Sequence, residues 1–420
     1  MSSAATDETD DSAIIESKPP FLRRVRIRGY KSIAFCDVTL EPLTILVGRN
    51  ASGKSNFVDA LAFLADAMRL NLTEAVYRHG GPTGILCRTS GTRRIEFELE
   101  CFEDNSGNHE LITYQLNFSI AEDGTLQGPG EILNRRIIAD TLQDNSVKPR
   151  FQTTSKQLEW ISHHSPYHLS LAASGEPSAP YLSERIASFR VYNLNPEIMR
   201  TPQRVQHVGF LERDGSNFAS VIQTMTKIDK NAVERVGRYL SAVTRSVTLL
   251  GITNFGDYET VKFRVNRGDD EQVLEFDAAN MSDGTLRIIG SLVAAYQSMP
   301  SPYGSPSLIA IEEPETALHP AAMRALVDAL DEATLRTQIL LTTHSAEMLD
   351  NPTIRPENIR AVQMIDGQTV IGPVDEASVE IVQRKLSTLG ALERENQLEP
   401  DFNDLERQRL LSHNGRGPKE

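Results

Sequence analysis

The chain has 420 residues, 40% of them hydrophobic and 24% charged, which gives length for two or three domains and apolar content for a substantial core. A formal net charge of -14 at pH 7 argues against a surface coated with phosphate-binding lysines, so any nucleic-acid contact must be a local patch or be supplied by a partner. The three cysteines, Cys36, Cys87 and Cys101, lack CxxC spacing and argue against a disulfide framework, and no apolar run approaches the length of a membrane helix, so the sequence reads as cytoplasmic with no membrane contact.

Residues 1–20 carry Asp7, Glu8, Asp10, Asp11 and Glu16, few large apolar groups, and a closing Pro19-Pro20, the composition of a disordered acidic tail. From Phe21 a strand is expected with Val25 and Ile27 on one face, then a turn at Gly29-Tyr30-Lys31-Ser32 and a second strand through Ile33, Phe35 and Val38. The apolar run Leu43–Val47 then leads into Gly48-Arg49-Asn50-Ala51-Ser52-Gly53-Lys54-Ser55. This is a P-loop, in which glycines at 48 and 53 let the backbone turn its N–H groups toward a polyphosphate and Lys54 offers a mobile cation. Ser55 is placed to ligate Mg²⁺, and the helix that follows directs its positive end at the anion, with Phe57, Ala60, Leu61, Leu64 and Met68 as its apolar stripe. The expected ATP-binding set is Gly48, Asn50, Gly53, Lys54, Ser55 and Asn56.

Arg78-His79-Gly80-Gly81-Pro82 breaks the chain, after which Ile95, Phe97, Leu99 and Cys101 alternate with glutamates, and Ile112, Tyr114, Leu116 and Phe118 alternate again beyond Asn105-Ser106-Gly107-Asn108. That pattern predicts an antiparallel hairpin with one wet face. Residues 125–270 read as an insertion with no catalytic motif: irregular over 141–182, and one or two helices over 216–245. His163, His164 and His168 fall in the polar part and are better read as solvated than as a metal site. Arg200, Arg204, Lys227, Lys230, Arg235 and Arg238 are better read as a solvated helical surface than as a nucleic-acid face.

Ser307-Leu308-Ile309-Ala310-Ile311-Glu312-Glu313-Pro314-Glu315 is an apolar strand ending in acids, the form of a Walker B element. Glu312 is expected to hold Mg²⁺ through its water shell and Glu313 to orient and deprotonate the attacking water, with Lys54 and Glu313 at the ends of two adjacent strands. Upstream, Ser282-Asp283-Gly284 opens a helix with Leu286, Ile289, Val293 and Tyr296 on one side; hydroxyl, amides and dipole there favour an anion, although alone the serine is only a cap. Downstream, the strand Ile339-Leu340-Leu341-Thr342-Thr343 ends at His344, which could hydrogen-bond a γ-phosphate and sense its loss.

Taken together, the strand-rich start, GRNASGKS, MSDGT, LIAIEEPETALHP and LLTTHS resemble the ABC-type ATPase heads of the RecF, SMC and OLD-like group, above all the compact RecF-type bacterial ATPases. The likeness covers about 21–120 and 270–375 well and the stretch around Leu211–Phe218 more loosely. It implies an α/β P-loop NTPase of ABC-ATPase head type: a mixed sheet, an antiparallel β subdomain and a helical or irregular insertion. The expected division is a tail at 1–20, head halves at 21–124 and 271–375, the insertion at 125–270 and a charged extension at 376–420. It also implies ATP and Mg²⁺ as cofactors, Glu313 and His344 as catalytic residues, and an ATP-dependent homodimer in which Ser282, Asp283 and Gly284 of one subunit close over the partner's nucleotide. Two departures stand out: MSDGT replaces the LSGGQ-like signature, and the glutamine that links nucleotide to the inserted arm is not evident, Gln115 and Gln127 being the weak candidates. About 45 residues follow position 375, too few for the Toprim domain of OLD nucleases.

The first functional expectation is therefore an ATP-hydrolysing dimeric switch in DNA repair or recombination or in anti-phage defence, with at most weak DNA binding. An ATP-gated scaffold for a separate nuclease or toxin is the alternative. A transporter cassette fits the LHP block and the β-rich start less well, and a P-loop kinase explains neither Ser282-Asp283-Gly284 nor His344.

Overall fold

The computed structural model describes residues 21–105, 108–138, 156–160, 169, 171, 179–206, 209–244, 247–266, 273–299 and 304–414. The acidic tail, most of the 141–182 stretch, and His163, His164 and His168 lie outside the described residues.

The first two strands form where alternation called for them, as β1 (Leu22–Tyr30) and β2 (Ile33–Thr39), joined by a tight turn at Lys31, whose φ is 49°. The P-loop strand β3 (Leu43–Val47) is buried along its whole length, as a strand covered on both faces must be. Next come β4 (Arg94–Asn105), β5 (Asn108–Ile120), β6 (Leu126–Ile138), β7 (Lys156–Trp160), β8 (Arg190–Tyr192) and the two-residue β9 (Gln203–Arg204). The remainder are β10 (Val247–Phe255), β11 (Tyr258–Asn266), β12 (Val273–Asp277), β13 (Leu308–Glu312), β14 (Gln338–Thr343), β15 (Ile359–Ile365) and β16 (Gln368–Pro373).

They make three sheets. An antiparallel sheet runs β2-β1-β4-β5-β6-β7, so the predicted hairpin is present and its sheet continues past residue 124 through β6, which pairs with β5. Its wet face is a charge ladder: Arg24, Arg26 and Arg28 on β1 stand opposite Glu100, Glu98 and Glu96 on β4, with N–O separations of 3.3, 2.5 and 3.1 Å. A smaller sheet runs β10-β11-β12, with β9 beside β11. The third, β16-β15-β3-β14-β13-β8, is parallel from β15 to β8. Here the structure corrects the sequence reading. Strand β14, not β13, neighbours the P-loop strand, so Lys54 and Glu313 are separated by the strand that carries His344 at its end.

Side chains on the parallel strands alternate between two cores. Leu43, Ile45, Ile309, Ile311, Ile339 and Leu341 face helices Phe218–Ile228, Lys230–Thr244, Asp283–Tyr296 and Pro320–Ala333, while Leu46, Leu308, Ala310 and Leu340 face the P-loop helix Lys54–Arg69. That helix in turn packs on the antiparallel sheet through Phe63, whose ring lies 5.6 Å from Tyr30, 5.5 Å from Phe97 and 6.0 Å from Phe118. A further short helix, Leu72–Arg78, capped by Asn71, stands between the P-loop helix and the break at His79-Gly80. The C-terminal extension folds back on the head. Gln408, on helix Phe402–Asn414, donates to Ile371 O and accepts from Asp37 N–H, at 2.8 and 3.0 Å. The three cysteines are buried and free.

His79 closes the underside of the P-loop helix. Its Nδ1 lies 2.9 Å from Asp59 and its Nε2 3.2 Å from Asp66, and Asp59 also accepts from Tyr30 Oη at 2.6 Å and pairs with Lys31. Burial opposes the imidazolium, but the bonds to Asp59 and Asp66 outweigh it and hold the His79 pKa above its ordinary value. Burial likewise opposes ionised Asp59, and its bonds to His79, Lys31 and Tyr30 bring it down to about 2. The histidine contribution is full below the ordinary histidine pKa and disappears as pH rises through the raised one; the aspartate contribution is full above the ordinary carboxylate pKa and disappears as pH falls toward 2. The clamp should thus be strongest between about pH 4 and 6.5. His79→Ala should lower the unfolding free energy by about 2–3 kcal/mol at pH 6 and clearly less at pH 9, read by urea unfolding. An equal loss at both values would mean that the ring packs as a neutral group.

Candidate functional site

The P-loop is built on close backbone contact. Gly53 has a φ of 103°, and a Cβ there would lie 1.8 Å from Thr369 Oγ1; a Cβ on Gly48 would lie 2.1 Å from Val362 O. Thr369, at the start of the β16 pairing, donates to Ser52 O at 3.1 Å and lies 2.6 Å from Ser32 Oγ, which accepts from Asn56 Nδ2 at 2.6 Å. Asn56 therefore braces the loop from beneath, whereas Asn50 and Ser55 stand exposed at its mouth. Lys54 is 5% exposed, with Nζ donating to Gly48 O at 2.5 Å and to Arg49 O at 3.1 Å. Burial lowers its pKa, against the pull of Glu313, Glu393 and Glu315.

The acids cluster at the carboxyl ends of β13 and β14, the edge at which open parallel sheets bind ligands. Glu312 pairs with Arg213 at 2.9 Å, its side chain only 10% exposed. Glu313 turns through a φ of 45°, its N–H donating to Thr342 O at 3.0 Å, which directs its half-exposed carboxylate to within 3.6 Å of His344 Nδ1. Glu315, absent from the expected site, is buried; it accepts from Thr343 Oγ1 at 2.5 Å and from His344 N–H at 3.4 Å, and its Oε2 has no hydrogen-bond partner among the described residues. Burial raises its pKa, partly offset by those two donors. The turn after β13 is in this way tied to the strand that carries the histidine.

His344 also faces a cleft of about 530 Å³ lined by Arg49, Asn50, Glu347, Glu393 and Arg394. Glu393 and Arg394 belong to a short helix, Leu389–Arg394, anchored by the Arg394–Asp350 pair at 2.7 Å. Burial raises the Glu393 carboxyl, opposed by Lys54 and His344. No sequence signal marked this segment, because its placement depends on a long-range fold-back.

Ser282 caps helix Asp283–Tyr296, accepting from Thr285 N–H at 3.2 Å, and remains exposed. Gly284 lies against the turn after the Walker B strand, where a Cβ would sit 2.6 Å from Ala317 O. Among the described residues, no hydrogen bond or ion pair joins Ser282 or Asp283 to the P-loop. Gln115 donates to Glu98 at 2.8 Å on the wet face of the antiparallel sheet, and Gln127 pairs with Ser119 at one end of β6; neither stands in the P-loop cluster. Two of the basic residues of the insertion are held in ion pairs. Arg200 pairs with Asp283 and Arg235 with Glu332, while Arg204, Lys227, Lys230 and Arg238 are exposed.

Among the described residues, no group of three or more His, Cys, Asp and Glu side chains is arranged to hold a metal. Ser55 at the loop mouth and Glu312 at the end of β13 are oxygen donors of the kind Mg²⁺ takes, an ion that needs few protein ligands and fills the rest of its shell with water and phosphate.

Residues 43–350 match the family described as "AAA domain, putative AbiEii toxin, Type IV TA system". The chain belongs to that family. This AAA domain is also similar to the "Old nuclease" of Escherichia phage P2, at 25% identity over 357 residues, covering 78% of this chain and 57% of that protein. It thus spans little more than half the length of that relative. Its fold is similar to that of an SMC head crystallised with the C-winged helix domain of ScpA: TM-score 0.51, 14% identity, covering 86% of this chain and 100% of the other. The AAA domain accordingly has the P-loop NTPase fold expected from its motifs, in the form that SMC heads share. No helix among its described residues is long and apolar enough to cross a membrane.

Proposed function

We propose that this AAA domain hydrolyses ATP and uses it to drive a two-fold dimer, as a switch in DNA repair or recombination or in defence against foreign DNA. The observation that carries the reading is the meeting of a buried P-loop lysine, two carboxylates and a histidine at one edge of the parallel sheet. Lys54 would turn from the carbonyls of Gly48 and Arg49 to the β- and γ-phosphates, and Ser55 and Glu312 would hold Mg²⁺, which neutralises charge on those phosphates. Glu313 would take the proton of the attacking water, and His344 would hydrogen-bond the γ-phosphate. Ser282, Asp283 and Gly284 would act on the partner's nucleotide, consistent with their having no bond to their own P-loop among the described residues.

The likeness to an Old nuclease supports a DNA-linked role, and the acidic total argues for a weak, nucleotide-dependent contact at most. An ATP-gated scaffold for a separate nuclease or toxin is the second reading, favoured by the net charge of -14, which argues against a large phosphate-binding surface. Sedimentation of the protein with duplex DNA, with and without ATP, separates them. A switch that contacts DNA should show a dimer with ATP and weak binding by that dimer, with a shallow salt slope. An ATP-driven dimer that never binds DNA supports the scaffold, and tight binding without nucleotide contradicts both.

A further inference from the structure

Asp283 is an anomaly for a helix end that is to receive a phosphate. It is the first residue of helix Asp283–Tyr296 and half-exposed beside Ser282, so an incoming anion would meet a carboxylate before it reached the amides and the dipole. The structure supplies the counter-charge from some eighty positions earlier in the chain. Arg200 ends helix Pro196–Arg200; its Nη2 donates to the Asp283 carboxylate and to Met281 O at 3.2 Å, and its Nη1 pairs with Glu197 at 2.5 Å. One guanidinium thus holds both the acid and the backbone that leads into Ser282.

Packing fixes the short helix that presents this guanidinium. Leu194 and Met199, both almost fully buried, press helix Pro196–Arg200 on the signature helix so closely that a Cβ on Gly290 would lie 2.8 Å from Leu194 Cδ1 and 2.9 Å from Met199 Cε. Asn195 caps the same short helix by accepting from Glu197 N–H at 3.0 Å. The segment that presents Arg200 is therefore a rigid part of the signature surface.

We propose that Arg200 is a positioning residue of the signature: it offsets the charge of Asp283 and locks the Met281–Asp283 turn, so that the Ser282 hydroxyl and the helix N-terminus can take the γ-phosphate of a nucleotide bound by the partner. The inference rests on the dimer reading above. It explains how a signature with an acid in place of a glycine can serve a polyanion, and it assigns Arg200 a role that its bonds within one subunit do not require.

The test uses the full chain carrying Glu313→Gln, which should hold ATP with little turnover, and reads ATP-driven dimerisation by sedimentation velocity together with binding of a fluorescent ATP analogue by the monomer. Arg200→Ala should leave nucleotide binding intact and weaken dimerisation by roughly tenfold or more, the scale of losing a charge-assisted bond. Adding Asp283→Gly to Arg200→Ala should recover most of that loss, since the charge to be compensated is then gone, and Arg200→Lys should retain part. Dimerisation of Arg200→Ala equal to its parent overturns the proposal. So does a double variant no better than Arg200→Ala, which would make Arg200 a purely structural tie. If the Glu313→Gln parent itself stays monomeric with ATP, the dimer reading fails, and this proposal with it.

Discussion

Glu313→Gln should bind ATP about as well as the unaltered protein and hydrolyse it roughly a hundredfold or more slowly, the scale of losing a general base. The carboxylate it removes is half-exposed and directed toward His344 by a left-handed turn, so the amide should be accommodated without disturbing the strands beneath it. Lys54→Ala should fail one step earlier. Lys54 is the buried cation at the base of the loop, and removing one member of a buried charge pair costs about 2–5 kcal/mol, so nucleotide affinity should fall at least about thirtyfold. Steady-state phosphate release and equilibrium binding of a fluorescent ATP analogue read the two steps separately. Turnover near the original rate in Glu313→Gln would remove it as the base, and unchanged binding in Lys54→Ala would remove the lysine as the phosphate clamp.

The second large effect is a rescue. Lys54→Ala spoils its own P-loop but keeps an intact Ser282, whereas Ser282→Arg keeps its P-loop and would push a bulky cation toward the partner's γ-phosphate. Each protein alone should be inactive. In a mixed dimer one composite site is damaged twice and the other is whole, so an equal mixture with free exchange should recover roughly a quarter of the original sites. The reasoning depends on the exposed Ser282, whose partner among the described residues is Thr285 of the helix it caps. A mixture as inactive as its parts, with exchange shown by mass photometry of tagged subunits, would leave Ser282 as that cap and no more. Normal hydrolysis by Ser282→Arg alone would do the same.

The elements that carry this chemistry were legible because their signals are local. Apolar runs of five or six residues that end in Gly48, in Glu312-Glu313 and in His344 became β3, β13 and β14, and the alternation from Ile95 to Phe118 became β4 and β5. Ser282 was readable as a cap, and two helices lie within 216–245 as their spacing implied. What the sequence hid depends on which strands become neighbours. Nothing in the order of the chain says that β14 enters between β3 and β13, so the supposed adjacency of Lys54 and Glu313 was wrong. The partners of the site were hidden for the same reason. Thr369 reaches the P-loop from the far end of the chain, Arg213 reaches Glu312 across 99 positions, and Glu315 reads as one more acid in a turn until β14 closes over it.

Strand β14 has a practical consequence for interpreting variants. Its Thr342 receives the Glu313 amide, its Thr343 holds Glu315, its end presents His344, and along its edge it is zipped to the P-loop strand from Leu43 to Val47. A lesion at Leu340 or Leu341, deep between the two cores, would loosen Glu313, His344 and the P-loop together. In a screen scored only by ATP turnover such a change would be indistinguishable from damage to a catalytic side chain. A map of essential positions for this protein will therefore draw an active centre wider than its chemistry unless folding is scored alongside.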